Sequence, residues 1–172
     1  MKLSDDDFAL FGLQQQQRLD RDQLDTRRRD LQARVHPDRF AHEGAAAQRL
    51  AMQWSVRINE AYQRLKDPLS RAAYLCEQRG VAVDAERNTA MPAAFLTQQM
   101  EWREALDEAE GALAVEQIDN KITHQEHGML ETLAVLLDDR TDTPAAAAQV
   151  RALMFVARFR QDIARRLDTL DA

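Results

Sequence analysis

The chain has 172 residues, of which 45% are hydrophobic, and its formal net charge is -6 at neutral pH. This length allows one domain or two small ones, and the composition is typical of a soluble globular protein. No apolar run reaches the ~18 residues of a membrane-spanning helix, so we predict no membrane partner. The first residues show neither a signal-peptide core nor the basic character of a transit sequence, so we expect a cytoplasmic protein.

Helix-favouring residues dominate the chain, which contains only five glycines and four prolines. The sequence therefore predicts an all-α fold. Apolar residues recur at helical spacing from Asp20 to Val35 and again from Ala45 to Lys66. In the second segment the apolar positions are Leu50, Trp54, Ile58, Ala61 and Leu65. Two antiparallel helices joined by a polar loop follow from this pattern.

The polar loop contains the tripeptide His36, Pro37 and Asp38. A proline disfavours helical geometry in the preceding residue, so His36 is predicted to leave the helix in an extended conformation. A histidine beside a carboxylate also suggests a general base with its orienting partner. That role is disfavoured because no nucleophile motif lies nearby and residues so close in a loop rarely face each other. An ordinary polar turn remains the alternative.

An ordered series of residues surrounds this loop. It comprises the apolar opening Phe8–Leu13, then Arg39 and Phe40, then Ile58–Tyr62, Leu65, Asp67, Pro68, Arg71 and Tyr74. In order and spacing, about the first 75 residues resemble the J domain of DnaJ-like co-chaperones. The resemblance implies that His36, Pro37 and Asp38 bind a DnaK-class ATP-dependent chaperone and stimulate its ATP hydrolysis. Arg28 stands where the family usually has an aromatic ring, and its aliphatic stem is expected to replace that ring.

The same resemblance assigns a group of arginines to the acidic surface of the chaperone. They are Arg27, Arg29 and Arg34 on the predicted helix and Arg39 in the loop. Arg27 and Arg34 are seven residues apart and therefore share a helix face. The alternative is a solvated face whose arginines pair locally with Asp25 and Asp30.

Charge divides the chain unevenly. Residues 1–77 carry 13 basic and 12 acidic side chains, whereas residues 78–172 carry 10 and 17. The acidic second half argues against nucleic acid as a partner, because phosphate binding needs concentrated positive charge. Gly80 is predicted to end a helix. We therefore predict an N-terminal domain over 1–77, a connection over 78–90 and a three-helix bundle over 91–172.

The bundle helices are predicted over about residues 91–110, 113–137 and 144–170, with Thr143 as the N-cap of the last. The predicted core stripe of the first helix consists of Phe95, Trp102, Leu106, Ala109 and Leu113, and that of the third of Val150, Leu153, Ala157 and Ala164. Leu96 and Met100 lie off the first stripe and should be exposed. Beside them come Glu101, Glu104 and Glu108. Phe155 can join this surface if the two helices are neighbours.

An apolar patch with an acidic rim is typical of a protein-recognition surface, although scattered surface hydrophobes are also normal. A J-like segment followed directly by an acidic bundle with Phe95-Leu96, Met100–Glu104 and Leu106–Glu108 resembles the HscB family of iron-sulfur co-chaperones. The resemblance implies that the bundle binds an IscU-type iron-sulfur scaffold protein, which the J domain presents to the chaperone HscA in cluster assembly.

The scaffold-binding positions of that family fall on Leu96, Thr97, Met100, Glu101, Glu104, Glu108 and Phe155. Thr97 stands where a large apolar residue is common, which predicts a weaker contact there. A J-domain co-chaperone for a different protein client remains the alternative. In either case we expect a monomeric, non-catalytic activator of a partner ATPase.

The sequence offers few residues that could bind a metal or a cofactor. Iron-sulfur ligation takes several thiolates, and Cys76 is the only cysteine, so we expect it to be a small core residue. His124, His127 and Glu131 share a helix face, but one such motif does not complete a metal ligand set. We expect no bound metal and no other cofactor.

Overall fold

The computed structural model describes residues 2–171, and over those residues every regular element is a helix, as the sequence predicts. The elements are α1 (Asp7–Phe11), α2 (Arg21–Val35), a 3-10 turn (Pro37–Phe40), α3 (Ala45–Lys66), α4 (Pro68–Gln78), α5 (Ala93–Glu108), α6 (Gly111–Ala134), a π-helical turn (Val135–Asp139) and α7 (Thr143–Asp171). They form two compact units, an N-terminal unit (Met1–Leu75) and a C-terminal unit (Cys76–Ala172). None of the described helices is long and apolar enough to cross a membrane.

The N-terminal unit is built on the predicted helical hairpin. Arg21, at the start of α2, donates a hydrogen bond of 3.0 Å to the hydroxyl of Tyr62, near the end of α3, so the two helices are antiparallel. Leu24 on α2 and Ile58 on α3 are fully buried between them. The buried guanidinium of Arg71 donates to the carbonyl oxygens of Gln17 and Leu65, which ties α4 to the preceding segments.

One predicted core position of α3 is wrong. Leu50 is 48% exposed, and Ala51 is buried in its place. Two successive spacings of four residues, from Leu50 through Trp54 to Ile58, drift by about 80° around a helix. Ala51, seven residues before Ile58, lies within about 20° of it and therefore faces the core.

The C-terminal unit is a three-helix bundle in which neighbouring helices along the chain run in opposite directions. Gln149 of α7 donates to the carbonyl of Met129 in α6. Arg160 of α7 contacts Asp119 of α6, so α6 and α7 are antiparallel. The core of this unit includes the buried side chains of Phe95, Trp102, Val115, Ile122, Ala152, Val156, Phe159 and Ile163.

Three predictions for the bundle are wrong. Leu113 is 69% exposed, because α5 ends at Glu108 and a helical periodicity does not continue through the turn before α6. Ala164 is exposed because the core side of α7 is occupied there by Phe159 and Ile163. The N-cap of α7 is Asp142 instead of Thr143, since the Asp142 carboxylate accepts the amide hydrogen of Ala145 at 3.1 Å.

Residues between α4 and α5 pack within the C-terminal unit. Gly80 has φ +80°, and the amide of Val81 donates to the carbonyl of Cys76, which closes α4 with a Schellman motif as the sequence predicts. The buried guanidinium of Arg151 on α7 donates to the carbonyls of Val83 and Ala90 at 3.0 and 2.6 Å. Both ends of this segment are therefore fixed to α7.

Candidate functional site

The loop after α2 holds the predicted tripeptide in a defined conformation. His36 leaves the helix with φ -59° and ψ 127°, the extended geometry expected before a proline. Pro37 opens the 3-10 turn, and Arg39 donates a hydrogen bond of 3.0 Å to the carbonyl of Ala33 in the last turn of α2. The hydrogen bonds of His36, Asp38 and Arg39 join residues within six positions of each other, and Gln48 of α3 donates to the carbonyl of Ala41 at 3.3 Å.

His36 and Asp38 face each other, so the expectation that residues this close in a loop point apart is wrong. The Nδ1 atom of His36 accepts the backbone amide of Asp38 at 3.3 Å and lies 3.5 Å from its carboxylate. Both side chains are exposed, and no cleft encloses them. The pair therefore has the geometry of a presented contact surface and lacks an enclosed place for a substrate.

The predicted chaperone-binding arginines are all exposed, but they do not form a single face. Arg27 and Arg34 lie together on the flank of α2 next to α1. Arg29 lies about 160° further round the helix by its spacing from Arg27. The proposed local pairing is not found: over residues 2–171, none of Arg27, Arg29, Arg34 and Arg39 forms an ion pair.

Asp25 is engaged elsewhere. It accepts hydrogen bonds from the hydroxyl of Tyr62 at 2.8 Å and from Arg21 at 3.0 Å. The hydrogen bond from Tyr62 is the main reason why the pKa of Asp25 is lowered, and Arg21 adds to it. The charge of Arg29 lowers the pKa of Asp25 further without forming an ion pair.

Arg28 replaces the expected aromatic ring in a different way from the one predicted. Its guanidinium carbon lies 4.2 Å from the centre of the Tyr62 ring, which is a cation–π contact. The charged group itself, and not the aliphatic stem alone, packs on α3.

The second candidate surface lies on α5. Leu96 and Met100 are 42% and 70% exposed, as the sequence predicts. They lie one turn apart on the same side of the helix. Thr97, Glu101, Glu104 and Glu108 are exposed as well. We call the surface formed by Leu96, Met100 and Phe155 the apolar patch.

Phe155 joins α7 to this surface. Its ring lies 5.8 Å from that of Phe95, edge to face, and 6.1 Å from the nearly parallel ring of Phe159. Phe159 stacks in turn on Trp102. Phe155 is half-buried against the core of the bundle, so its exposed part is held rigidly.

Helical geometry places the acidic residues at different distances from the apolar patch. Measured around α5 from Leu96, Glu104 lies about 80° away on the Met100 side, and Glu108 and Glu101 lie about 120° and 140° away. Thr97 lies about 100° away. Glu104 therefore borders the apolar patch, whereas Glu101 is on the side of α5 farthest from Phe155.

Arg103 lies in the segment that carries the resemblance, but the sequence predicts no binding role for it. Its guanidinium carbon lies 5.2 Å from the centre of the Phe155 ring and 5.9 Å from that of Phe159. By helical spacing Arg103 lies about 20° from Leu96, on the side towards Phe155. Arg103 could have been noticed in the sequence because it is a basic residue among the acidic residues of α5 and lies next to Leu96 on the helical wheel.

Residues with metal-binding chemistry are not clustered. Within residues 2–171, no group of three or more histidine, cysteine, aspartate or glutamate side chains is arranged to hold a metal ion. Cys76 is buried, and its burial raises the pKa of the thiol to about 11. A thiol that stays protonated at neutral pH is a poor nucleophile.

Comparison with known proteins identifies both units. The family described as "HSCB C-terminal oligomerisation domain" matches residues 91–164. A co-chaperone protein HscB homologue of Bordetella petrii is 51% identical over 162 residues, which cover 94% of this chain and 95% of the relative. The homologue of Paraburkholderia phymatum is 49% identical and covers 98% of both chains.

Solved structures agree with the sequence relatives. The chaperone HscB of Vibrio cholerae has a TM-score of 0.80 and 37% identity, and the match covers 96% of this chain and 99% of that one. The human co-chaperone HscB has a TM-score of 0.87 and 25% identity, covering 96% of this chain and 84% of the human one. The fold is therefore a J domain followed by a C-terminal helical domain, the architecture of a J-domain co-chaperone.

The chain belongs to the HscB family of co-chaperones. Membership assigns it a co-chaperone role in iron-sulfur cluster assembly.

Proposed function

We propose that the chain binds an IscU-type iron-sulfur scaffold protein through the apolar patch and delivers it to an HscA/DnaK-class chaperone, whose ATP hydrolysis it stimulates through His36, Pro37 and Asp38. The observation that carries the proposal is the exposure of Leu96 and Met100 on α5, next to the contact of Phe95 with Phe155. Exposed apolar side chains that include Met and Phe are typical of a protein-recognition surface. The exposed Glu104 adds a charged rim next to this apolar centre.

The chaperone contact is assigned to the loop and to the neighbouring arginines. Arg27, Arg29, Arg34 and Arg39 are exposed and form no ion pair among residues 2–171, so their charges suit an acidic chaperone surface. His36 presents an exposed imidazole ring whose Nδ1 atom contacts the backbone amide of Asp38. We assign no reaction to this pair, and ATP hydrolysis takes place on the chaperone.

Scaffold binding is tested by calorimetry with purified scaffold protein. Leu96→Ala and Phe155→Ala, separately and together, should weaken binding, by about 100-fold for the double variant, because hot-spot truncations cost 2 kcal/mol or more. Leu113→Ala is the matched control, since Leu113 is also an exposed leucine of the C-terminal unit but lies on α6. Scaffold binding unchanged in the double variant would contradict the assignment and favour a different client.

Chaperone stimulation is tested by single-turnover ATP hydrolysis with the chaperone in the absence of scaffold. His36→Gln should abolish the acceleration, whereas His42→Gln, a change at an exposed histidine just beyond the 3-10 turn, should leave it intact. Acceleration that survives His36→Gln would overturn the docking assignment. Leu96→Ala should stimulate as well as the wild type, because it changes only the scaffold surface.

Oligomeric state and location belong to the same proposal. The sequence predicts a monomer in the cytoplasm, whereas the description of the matched family refers to oligomerisation. Light scattering across a range of protein concentrations distinguishes a monomer from a dimer. We propose no nucleic-acid and no membrane partner.

A further inference from the structure

Arg103 is an exposed cation on an acidic helix, and the contacts of its guanidinium among residues 2–171 are with aromatic rings. Helix α5 also carries Glu101, Glu104, Asp107 and Glu108, and Asp107 is one turn from Arg103. Among residues 2–171, Arg103 forms no ion pair and no side-chain hydrogen bond. Its contacts are with the rings of Phe155 and Phe159, at 5.2 and 5.9 Å from the guanidinium carbon.

The contact with the rings leaves the N–H donors of the guanidinium available for a further contact. An arginine packed on an aromatic face keeps its five N–H donors at the edge of the plane, where they remain accessible. Because the guanidinium already lies over the Phe155 ring, fewer side-chain rotamers are lost when these donors bind an acceptor. A carboxylate matches the fork of the guanidinium in shape and charge.

Arg103 and Glu104 place opposite charges on the two sides of Leu96. Around α5, Arg103 lies about 20° from Leu96 towards Phe155, whereas Glu104 lies about 80° from Leu96 in the opposite direction. Met100 lies between them, about 40° from Leu96. The surface thus runs from a cation through apolar side chains to carboxylates, and this order distinguishes the two possible orientations of a docked segment.

We propose that Arg103 is a specificity-determining residue of the apolar patch that binds an acidic side chain of the scaffold protein. The contact fixes the direction in which the scaffold lies across α5, with its acidic group towards Phe155 and its basic groups towards Glu104. The inference rests on the proposed binding of a scaffold at the apolar patch and adds the charge that the partner must present there.

Calorimetry with purified IscU-type scaffold tests the role of Arg103. Arg103→Gln should weaken binding about tenfold, the size of one charge-assisted hydrogen bond, and Arg103→Lys should recover only part of the loss because it lacks the planar fork. Arg166→Gln, which removes an exposed arginine 11 residues beyond Phe155 on α7, is the matched control and should bind as the wild type does.

A double-mutant cycle separates charge recognition from simple support of the Phe155 ring. Each surface aspartate or glutamate of the scaffold is changed to its amide, and each variant is titrated into wild-type and Arg103→Gln protein. One scaffold carboxylate should weaken binding to the wild type about tenfold and leave binding to Arg103→Gln unaffected. If Arg103 only supports the Phe155 ring, Arg103→Gln should weaken the binding of every scaffold variant by the same factor. That result overturns the inference.

Leu96→Ala, measured in parallel, distinguishes failure of this inference from failure of the proposed function. If Leu96→Ala weakens binding while Arg103→Gln does not, the apolar patch stands and the assignment to Arg103 is wrong. If both variants bind as the wild type does, the scaffold does not use this surface and both proposals fall.

Discussion

The two units of the molecule build their candidate surfaces in opposite ways. In the N-terminal unit, His36, Pro37 and Asp38 are held by hydrogen bonds between near neighbours in the chain, such as that from the Asp38 amide to His36. In the C-terminal unit, the apolar patch joins Leu96 on α5 to Phe155 on α7, 59 residues later in the sequence. The first surface is polar and local, whereas the second is apolar and exists only when α5 and α7 are packed together.

This difference shows which surface depends on the packed core around it. A turn fixed by local bonds keeps its shape as long as the ends of α2 and α3 are in place. The orientation of Phe155 depends instead on stacking against Phe159 and Phe95. Destabilising one unit should therefore impair one function at a time, and the largest effects come from the two cores.

Matched core truncations test that independence. Leu24 and Ile122 are fully buried, one in each unit, and each change to alanine should lower the free energy of unfolding of its unit by about 2–5 kcal/mol. Leu24→Ala should reduce chaperone stimulation and preserve scaffold binding, and Ile122→Ala should do the reverse. Urea unfolding followed by both binding assays measures this. Loss of both functions in both variants would show that the units do not fold independently.

Ion pairs in the two units should differ in their contribution to stability. Asp7 is 1% exposed, accepts a hydrogen bond of 2.6 Å from Arg64 and lies 2.8 Å from Arg57 in ion-pair contact. Asp7→Asn leaves two cations without their counter-charge and should cost about 3 kcal/mol. Arg160, which is partly exposed, bridges Asp119 and Glu126 across α6 and α7. Arg160→Gln should cost less than about 1 kcal/mol.

Chemical unfolding of both variants measures this contrast. Equal losses in the free energy of unfolding for Asp7→Asn and Arg160→Gln would show that burial does not determine how much each ion pair contributes to stability.

The two units can also be compared through one helix N-cap in each, with a smaller expected loss of stability. The carboxylate of Asp20 accepts the amides of Asp22 and Gln23 at the start of α2, and Asp142 accepts the amide of Ala145 at the start of α7. Asp20→Ala and Asp142→Ala should each lower stability by about 1 kcal/mol. Circular dichroism during thermal unfolding checks both changes, and Thr143→Ala serves as the comparison for the rejected cap. A greater loss from Thr143→Ala than from Asp142→Ala would reverse the assignment.

The smallest effect at neutral pH concerns Cys76. Burial raises the pKa of its thiol from 9.0 to about 11 in the folded protein. Because the folded pKa is the higher one, the thiol contributes stability below pH 9 that is lost progressively as the pH rises towards 11. Cys76→Ala should therefore show a shallower alkaline decline in its urea midpoint than the wild type. Identical slopes above pH 9 would mean that the thiol does not ionise selectively in the unfolded chain.

Local rules were sufficient for most of the helices and for the loop. The proline after His36 predicted its extended conformation, and Gly80 predicted the end of α4; both are confirmed. The exposure of Leu96 and Met100 followed from their angle to Phe95 on one uninterrupted helix. These features depend on backbone sterics and on helical spacing, which act over a few residues and are therefore encoded locally.

The predictions of buried positions are wrong where an apolar spacing is continued beyond the end of a helix or over too many turns. The prediction that Leu113 is buried continues the spacing of α5 through a turn, and the two-step drift from Leu50 to Ile58 exceeds the width of the buried face. The facing of His36 and Asp38, and the stacking of Arg28 on Tyr62, depend on side-chain contacts that composition does not specify. The roles of the candidate site residues stay predictions until binding is measured.

The sequence by itself determined the all-α class, the hairpin with its polar loop and the exposed apolar residues of α5, because these follow from propensity and periodicity. Tertiary structure alone decided that α5 and α7 lie side by side in the C-terminal unit, that Phe155 stands against Phe95, and that Arg103 lies on the rings of α7. Contacts between residues more than 50 positions apart require the chain to be packed, and helical spacing within one segment carries no information about them.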